Sequence, residues 1–274
     1  MKEQVEAIKE LQELVLIRDE YCQRGNGSRL DEFNSRIDAV KAKLSPQVKT
    51  VFERLYKRNH VAAAGLANNC CAACGMSVPI ASVQMVKKAQ HLVCCASCGR
   101  ILYADDADTV SNVKGRVDLD GKIGIERFSG EKLMLPGLKA KDRADAIAEL
   151  AGLLEKNGFI KSADNMVAAA MEREQILSTA TDHDIAFPHV RGVEGGGLTV
   201  AIGTSGKGVK WDGLMVHIVI LAMIPVAVSS YYLKFMGSIT KSLSKAAARQ
   251  AVIAAADADE LWKVLQKTTR TELK

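Results

Sequence analysis

The sequence predicts a multidomain chain of three parts: a helical hairpin, a small cysteine-rich module, and an α/β domain with a mixed sheet flanked by helices. Three observations predict it. Apolar residues recur at steps of three and four through residues 1–60, the seam of a packed helix. Six of the seven cysteines crowd into residues 70–98. Beyond residue 126, helical apolar patterns alternate with short continuous apolar runs, as helices laid against a sheet require. The length of 274 residues suits more than one domain, and 48% apolar with 25% charged residues suits a globular protein. A net charge of +5 neither requires nor excludes a nucleic-acid partner.

Residues 1–60 read as a helical hairpin or coiled coil. Val5, Ile8, Leu11 and Val15 form one series. Leu30, Phe33, Ile37, Val40, Leu44, Val48, Val51 and Leu55 form the other. Gly25, Asn26 and Gly27 are turn formers between them, and Ser28 with Asp31 is a weak helix start. Ser45-Pro46 interrupts the second arm and reads as a restart, with serine capping and proline at the first helical position. Such a hairpin serves as a spacer or as a surface through which copies of the chain oligomerise.

Residues 61–104 contain no Asp or Glu. Here CAACG at 71–75 is answered by CASCG at 95–99. Zinc takes four ligands in a tetrahedron, and two CxxC knuckles supply them without a large core. The glycine after each knuckle suits the tight turn that brings both sulfurs onto one ion. The pattern predicts one structural zinc per chain on Cys71, Cys74, Cys95 and Cys98, with no open position for catalysis. Cys70 and Cys94 offer a register one residue earlier. His60 and His91 are substitute ligands of lower rank, and Cys22 reads as an ordinary buried or half-buried thiol. With MSVPI at 76–80 and CASCGRILY at 95–103, residues 1–104 resemble a family in which a helical hairpin precedes a C4-type zinc ribbon. That resemblance implies nucleic-acid or protein binding. A slight basic bias, with Tyr103 the one aromatic nearby, supports nucleic acid only weakly.

Residues 105–125 read as a linker, with turn formers and no sustained periodicity. In the third part, 126–274, AIAELAGLLEKNG (146–158) reads as a helix ended by Gly158. DNMVAAAMEREQIL (164–177) reads as a helix capped by Ser162. DIAF, LTVAIG and VHIVILA read as strands. SSYYLKFMGSITKSLS (229–244), AAARQAVIAA and DELWKVLQK return to helical spacing. The run at 214–228 is too short to span a bilayer and contains His217 and Pro225. With no signal peptide read at the start, the expectation is a cytoplasmic protein with reduced thiols.

His189 follows Pro188, which holds Phe187 extended, and so sits where a strand ends. Strand ends of α/β folds collect binding sites. The glycines at 192 and 195–197 would let a ligand approach, or simply form a loop. Residues 126–274 resemble the EIIA domain of the fructose, mannitol and nitrogen-regulatory class of the bacterial phosphoenolpyruvate-dependent phosphotransferase system. The resemblance rests on EREQILSTATDHDIAFPH up to His189, on VHIVILAMIP, on YLKFMGSITKSL and on ADADELWKVL. It implies that His189 accepts a phosphoryl group from an HPr-like carrier and passes it to an EIIB or permease component or to a regulatory protein. Arg191 is then the nearest candidate to stabilise phosphate, with Thr179, Thr181 and His183 as further polar neighbours. The family's usual second histidine falls on Tyr232, which donates a hydrogen bond but supplies no imidazolium. The alternatives are a phosphorylation-sensing regulatory or interaction protein, or a zinc-ribbon nucleic-acid-binding adaptor without phosphotransfer.

Overall fold

The structure is a computed structural model that describes residues 2–23, 30–59, 61–67, 69–74, 76–104, 124–191, 193, 197–225 and 229–273. The turn expected at 24–29, His60, Gly192, Gly195, Gly196 and residues 105–123 of the expected linker lie outside the described residues. The chain divides into two compact units, Met1–Asp108 with Val226–Leu233, and Thr109–Pro225 with Lys234–Lys274.

In the first unit, α1 (Lys2–Gln23), α2 (Leu30–Ala42) and α3 (Pro46–Asn59) form the expected hairpin. Its second arm breaks where the Ser45-Pro46 pair predicts. The Ser45 hydroxyl accepts the Val48 N–H at 3.5 Å, and the Ser45 carbonyl accepts that of Lys49 at 2.9 Å. Both apolar seams are filled within the chain: Ile8, Leu11 and Val15 pack with Ile37, Val40, Val48 and Phe52. Two side-chain amides on α1 tie that helix to distant backbone. Gln4 donates to the Lys43 carbonyl and accepts from the Ser45 N–H, both at 2.8 Å. Gln12, 8% exposed, accepts from the N–H groups of Ala62 at 2.5 Å and Ala63 at 3.1 Å. Near the far end of α1, Tyr56 donates to Asp19, while Arg18 donates to both. Cys22 is exposed rather than buried, because it falls in the last turn of α1, beyond the apolar seam.

The rest of this unit is a small sheet in the order β2-β1-β4-β3, made of β1 (Ala63–Ala67), β2 (Cys70–Cys71), β3 (Val93–Cys94) and β4 (Ile101–Tyr103). Strands β1 and β4 pair in parallel and the outer pairs are antiparallel. Between β2 and β3 lies α4 (Ile80–Lys88), which buries Val83 and Val86. Sequence periodicity places no helix there, since only two of its nine residues are buried.

The second unit is the expected mixed sheet with helices. Short 3₁₀ turns at Gly124–Arg127 and Glu131–Leu133 precede β5 (Met134–Leu135). The first lies partly within the segment expected as linker, yet Ile125 is buried. Helices α5 (Arg143–Lys156) and α6 (Ala163–Ile176) follow, capped by Asp142 and Ser162. After α5 the chain turns at Gly158, where φ is +71°. Then come β6 (Ile185–Ala186), β7 (His189–Arg191), β8 (Thr199–Trp211), β9 (Leu214–Ile224), α7 (Ser229–Ser242, grouped with this unit from Lys234 on), α8 (Ala246–Ile253) and α9 (Ala258–Thr269). Strands β8 and β9 form a long antiparallel hairpin turned by Asp212-Gly213. Their φ values of +47° and +84° suit a two-residue turn that glycine and aspartate tolerate. On its other side β9 pairs in parallel with both β6 and β7, and β5 pairs in parallel with β8. From Ile218 to Ile224 this strand is buried between neighbours on both edges, as its continuous apolar run implies, whereas Leu214 and Met215 beside the turn are exposed. Among the described residues no helix is long and apolar enough to cross a membrane.

Replacing Gln12 with leucine leaves two buried backbone N–H groups without an acceptor, at a cost of about 2–4 kcal/mol. Native-state hydrogen exchange should show Ala62 and Ala63 losing protection before the rest of the unit. Unchanged protection there would contradict the anchoring role of Gln12.

Candidate phosphoryl-transfer and metal sites

The segment TDHDIAFPHVR folds as a tight turn followed by two strand fragments on one neighbour. The Thr181 N–H and hydroxyl both donate to the Ile185 carbonyl, at 2.8 and 2.9 Å. Asp184 turns the corner at φ +62°, and its carbonyl accepts from His217 and Ile218 on β9. Pro188 has no N–H to give, so it falls between β6 and β7. Its carbonyl still accepts the Ala222 N–H at 2.9 Å, and pairing resumes at once with His189 opposite Ala222. His189 therefore begins a strand rather than leaving one. It is also wholly buried.

The imidazole orientation has one determinant in the backbone. Nδ1 of His189 lies 2.9 Å from the Phe187 carbonyl oxygen. A carbonyl only accepts, so Nδ1 carries the proton and Nε2 carries the lone pair. Behind this contact runs a chain of bonds that starts at a buried carboxylate. Glu174 on α6 accepts the Thr179 N–H at 3.0 Å and the Trp211 indole N–H at 2.9 Å. The Thr179 carbonyl accepts the Phe187 N–H at 3.3 Å, and the Phe187 carbonyl takes the histidine proton. Beside it, the Arg173 guanidinium donates to the Leu177 carbonyl at 2.9 Å. Glu174, Arg173 and Trp211 were not among the residues expected from sequence. Their signal was present: Met166, Ala170, Arg173 and Glu174 form the buried face of α6, and a charged residue on an apolar helix face needs a partner.

The remaining candidates divide. Arg191 is two residues beyond His189 in an extended strand, hence on the same face, and is partly buried. Thr179 and Thr181 are buried rather than lining a surface, because their backbones carry the turn. His183 is half-buried in that turn, and its N–H lies 3.4 Å from the Thr181 hydroxyl. His217 is in β9 with Nδ1 2.8 Å from the Ser205 carbonyl, a structural contact with β8. Tyr232 lies on the first turn of α7 and is wholly buried. It belongs to the stretch grouped with the first unit, whereas His189 and Arg191 belong to the second.

In the first unit, the sulfurs of Cys71, Cys74, Cys95 and Cys98 all lie within 4.8 Å of one another. Cys71–Cys98 and Cys74–Cys95 are each 3.7 Å apart. A tetrahedral ion with metal–sulfur bonds of about 2.3 Å puts its sulfurs about 3.8 Å apart, so the cluster fits such an ion. Gly99, at φ +74°, turns its N–H back to the Cys95 carbonyl at 2.8 Å, a conformation that costs glycine little. Cys70 is half-buried and Cys94 exposed, and neither joins the cluster, nor does the exposed His91. Burial pushes the Cys71 thiol up against backbone N–H groups of Ala73 and Cys74 that pull it down. Burial also opposes ionisation of Cys98, but hydrogen bonds from the backbone and side chain of Arg100, together with those from Cys74 and Cys71, outweigh it and bring the thiol down to about 7. The four sulfurs can hold a metal ion.

Residues 128–268, just over half of the chain, match the family described as phosphoenolpyruvate-dependent sugar phosphotransferase system, EIIA 2. Among solved structures, nitrogen regulatory protein IIA-Ntr from Neisseria meningitidis is 18% identical, with 50% of this chain and 96% of that one covered and a TM-score of 0.46. IIA mannitol from Escherichia coli is 20% identical, covering 50% of this chain and 97% of that one, with a TM-score of 0.42. CT398 from Chlamydia trachomatis is 27% identical over 28% of this chain and 33% of that one, with a TM-score of 0.27.

Two measurements check the bond chain. Nitrogen NMR above neutral pH should find His189 protonated at Nδ1 and bare at Nε2; the reverse tautomer would contradict the Phe187 contact. Glu174→Ala strands the Thr179 and Trp211 donors at a cost of about 2–4 kcal/mol, visible as a lower unfolding midpoint and an altered Trp211 fluorescence.

Proposed function

The chain belongs to the phosphoenolpyruvate-dependent sugar phosphotransferase system EIIA 2 family, and on that premise we propose that it is a histidine phosphocarrier whose acceptor is His189. The observation that carries the reading is the Nδ1 bond to Phe187. It presents Nε2 as the nucleophile, since a neutral imidazole attacks through its lone pair. The donor is an HPr-like protein carrying phosphohistidine. Its N–P bond breaks as the bond to Nε2 of His189 forms, and the donor keeps the electron pair. The His189 ring becomes cationic, with its proton still on Nδ1, and the Phe187 carbonyl stabilises that charge. Arg191, on the same strand face, meets the negative oxygens of the transferred group. The group then passes to an EIIB or permease component, or to a regulatory target. Because His189 is wholly buried, transfer in either direction includes a step that uncovers Nε2.

That burial, with tyrosine at position 232, favours a second reading in which the domain has become a phosphorylation-independent regulatory module. One experiment separates the two. The chain is incubated with the upstream carriers and labelled phosphoenolpyruvate. The phosphocarrier reading expects acid-labile label that His189→Ala abolishes, and faster labelling in Tyr232→His. No label on the wild-type chain, while the donor itself is charged, would sink it and leave the regulatory reading.

For the first unit, the proposal is a zinc ribbon on residues 61–104 holding one structural zinc on Cys71, Cys74, Cys95 and Cys98. The ion would contribute folding free energy and no chemistry, since four protein sulfurs leave no open position. Metal analysis should find one zinc per chain, lost in the double variant Cys71→Ser/Cys95→Ser and kept in Cys70→Ser/Cys94→Ser. Equal loss in both would reject the assigned register.

A further inference from the structure

The whole positive excess of the chain lies in one part of it. Residues 1–104 carry fifteen Lys and Arg against ten Asp and Glu, whereas residues 105–274 carry twenty-two of each. The excess sharpens further along the chain. From Lys41 to Ala104 there are nine basic residues and a single acid, Glu53. The structure gathers three of the basic residues around one groove. Arg54 and Arg58, one turn apart on α3, face Arg100 and the second cysteine knuckle across an open cleft of about 450 Å³. Its other lining residues are Leu55, Ala96, Ser97, Cys98 and Gly99. Among the described residues no carboxylate lines it.

Arg54 and Arg58 are exposed, and neither makes an ion pair among the described residues. Arg100 differs. Its Nε donates to the Val61 carbonyl at 3.1 Å and its side chain also bonds the Cys98 sulfur, which together fix the direction of its guanidinium and leave its remaining donors for a ligand. A guanidinium presents a fork of donors that matches phosphate oxygens and holds its charge at any physiological pH. Three of them also exceed the roughly two negative charges that four thiolates and one divalent ion would place beside the groove. The groove has no aromatic residue among its described lining on which an unpaired base could stack, which a single-strand surface ordinarily provides. A second groove on the same unit, lined by Lys2, Lys9, Lys87 and Lys88 with Glu6 as the one acid among its described residues, repeats the sign. Positive charge repeated in a second groove suits a repeating polyanion better than one phosphorylated side chain.

We propose that the groove formed by Arg54, Arg58 and Arg100 binds the phosphate backbone of duplex nucleic acid, without reading its sequence. This site lies in the first unit and is independent of phosphoryl transfer at His189. The three phosphate contacts of this groove contribute about −2.7 to the slope of the logarithm of the binding constant against the logarithm of salt, roughly a 40-fold loss between 50 and 200 mM salt.

The test is fluorescence anisotropy of a labelled 20-base-pair DNA duplex with the full, zinc-loaded chain across that salt range. Arg54→Gln/Arg58→Gln should weaken binding and make the slope shallower by about 1.8, the contribution of two contacts. Both side chains are exposed, and metal content and circular dichroism report whether the variant is folded. Lys132→Gln/Lys139→Gln removes the same charge from the second unit and should leave binding unchanged. The proposal is overturned by a slope that the arginine variant does not alter, by equal weakening in the lysine control, or by absence of duplex binding at 50 mM salt. Tighter binding of the single-stranded 20-mer, or of a phosphoserine peptide, would overturn it as well.

Discussion

A single buried carboxylate organises the surroundings of His189. Glu174 comes from a helix, Thr179 from the turn after it, and Trp211 from the end of β8. Joining the three fixes where the chain re-enters the sheet. Phe187 then has a set carbonyl direction, and the histidine ring takes its orientation from that carbonyl. A carboxylate moved out of water without such donors would be strongly unfavourable. The same requirement that makes Glu174 costly makes its geometry specific.

The sheet explains why this geometry holds. Strand β9 is paired on both sides, with β8 along one edge and β6 and β7 along the other. A proline in the middle of such an array would remove a ladder bond. Here it falls at the break between two fragments, where no N–H is needed, so His189 can sit at the head of β7 with its register set by Ala222. Burial and orientation come from the same arrangement. A histidine this enclosed has its tautomer well defined and its access to a partner protein restricted, and these two properties pull function in opposite directions.

The first unit solves a different problem. Its sheet is small, its strands run from two to five residues, and such a module has too little apolar area to be stable by itself. The hairpin supplies part of what is missing: its core extends through Ala62 and Ala63 to Ile101, with Gln12 satisfying the backbone at the junction. The same module brings together four sulfurs that are close enough to hold one ion. Concentrating arginines on α3 beside this cluster places charge on a rigid support.

Much of this was legible in residue order alone. Spacing of apolar residues located the hairpin arms, α5, α6 and the final helices, because helical periodicity and the capping by Ser45 and Ser162 are local properties. The paired CxxC motifs marked four cysteines, and the fold brings the sulfurs of Cys71, Cys74, Cys95 and Cys98 together while Cys70 and Cys94 stay outside the cluster. The role of Asp212-Gly213 as a hairpin turn was written in two letters, yet the length of β8 was not, since glycines at 203, 206 and 208 interrupt its apolar run. What no local pattern carried was burial and pairing: that β9 holds three strands, that His189 begins a strand instead of ending one, that Thr179 and Thr181 face inward, and that Glu174 meets Trp211 across 37 positions. Local sequence encodes dihedral preference and periodicity, whereas hydrogen bonds between distant segments exist only once the chain has closed on itself.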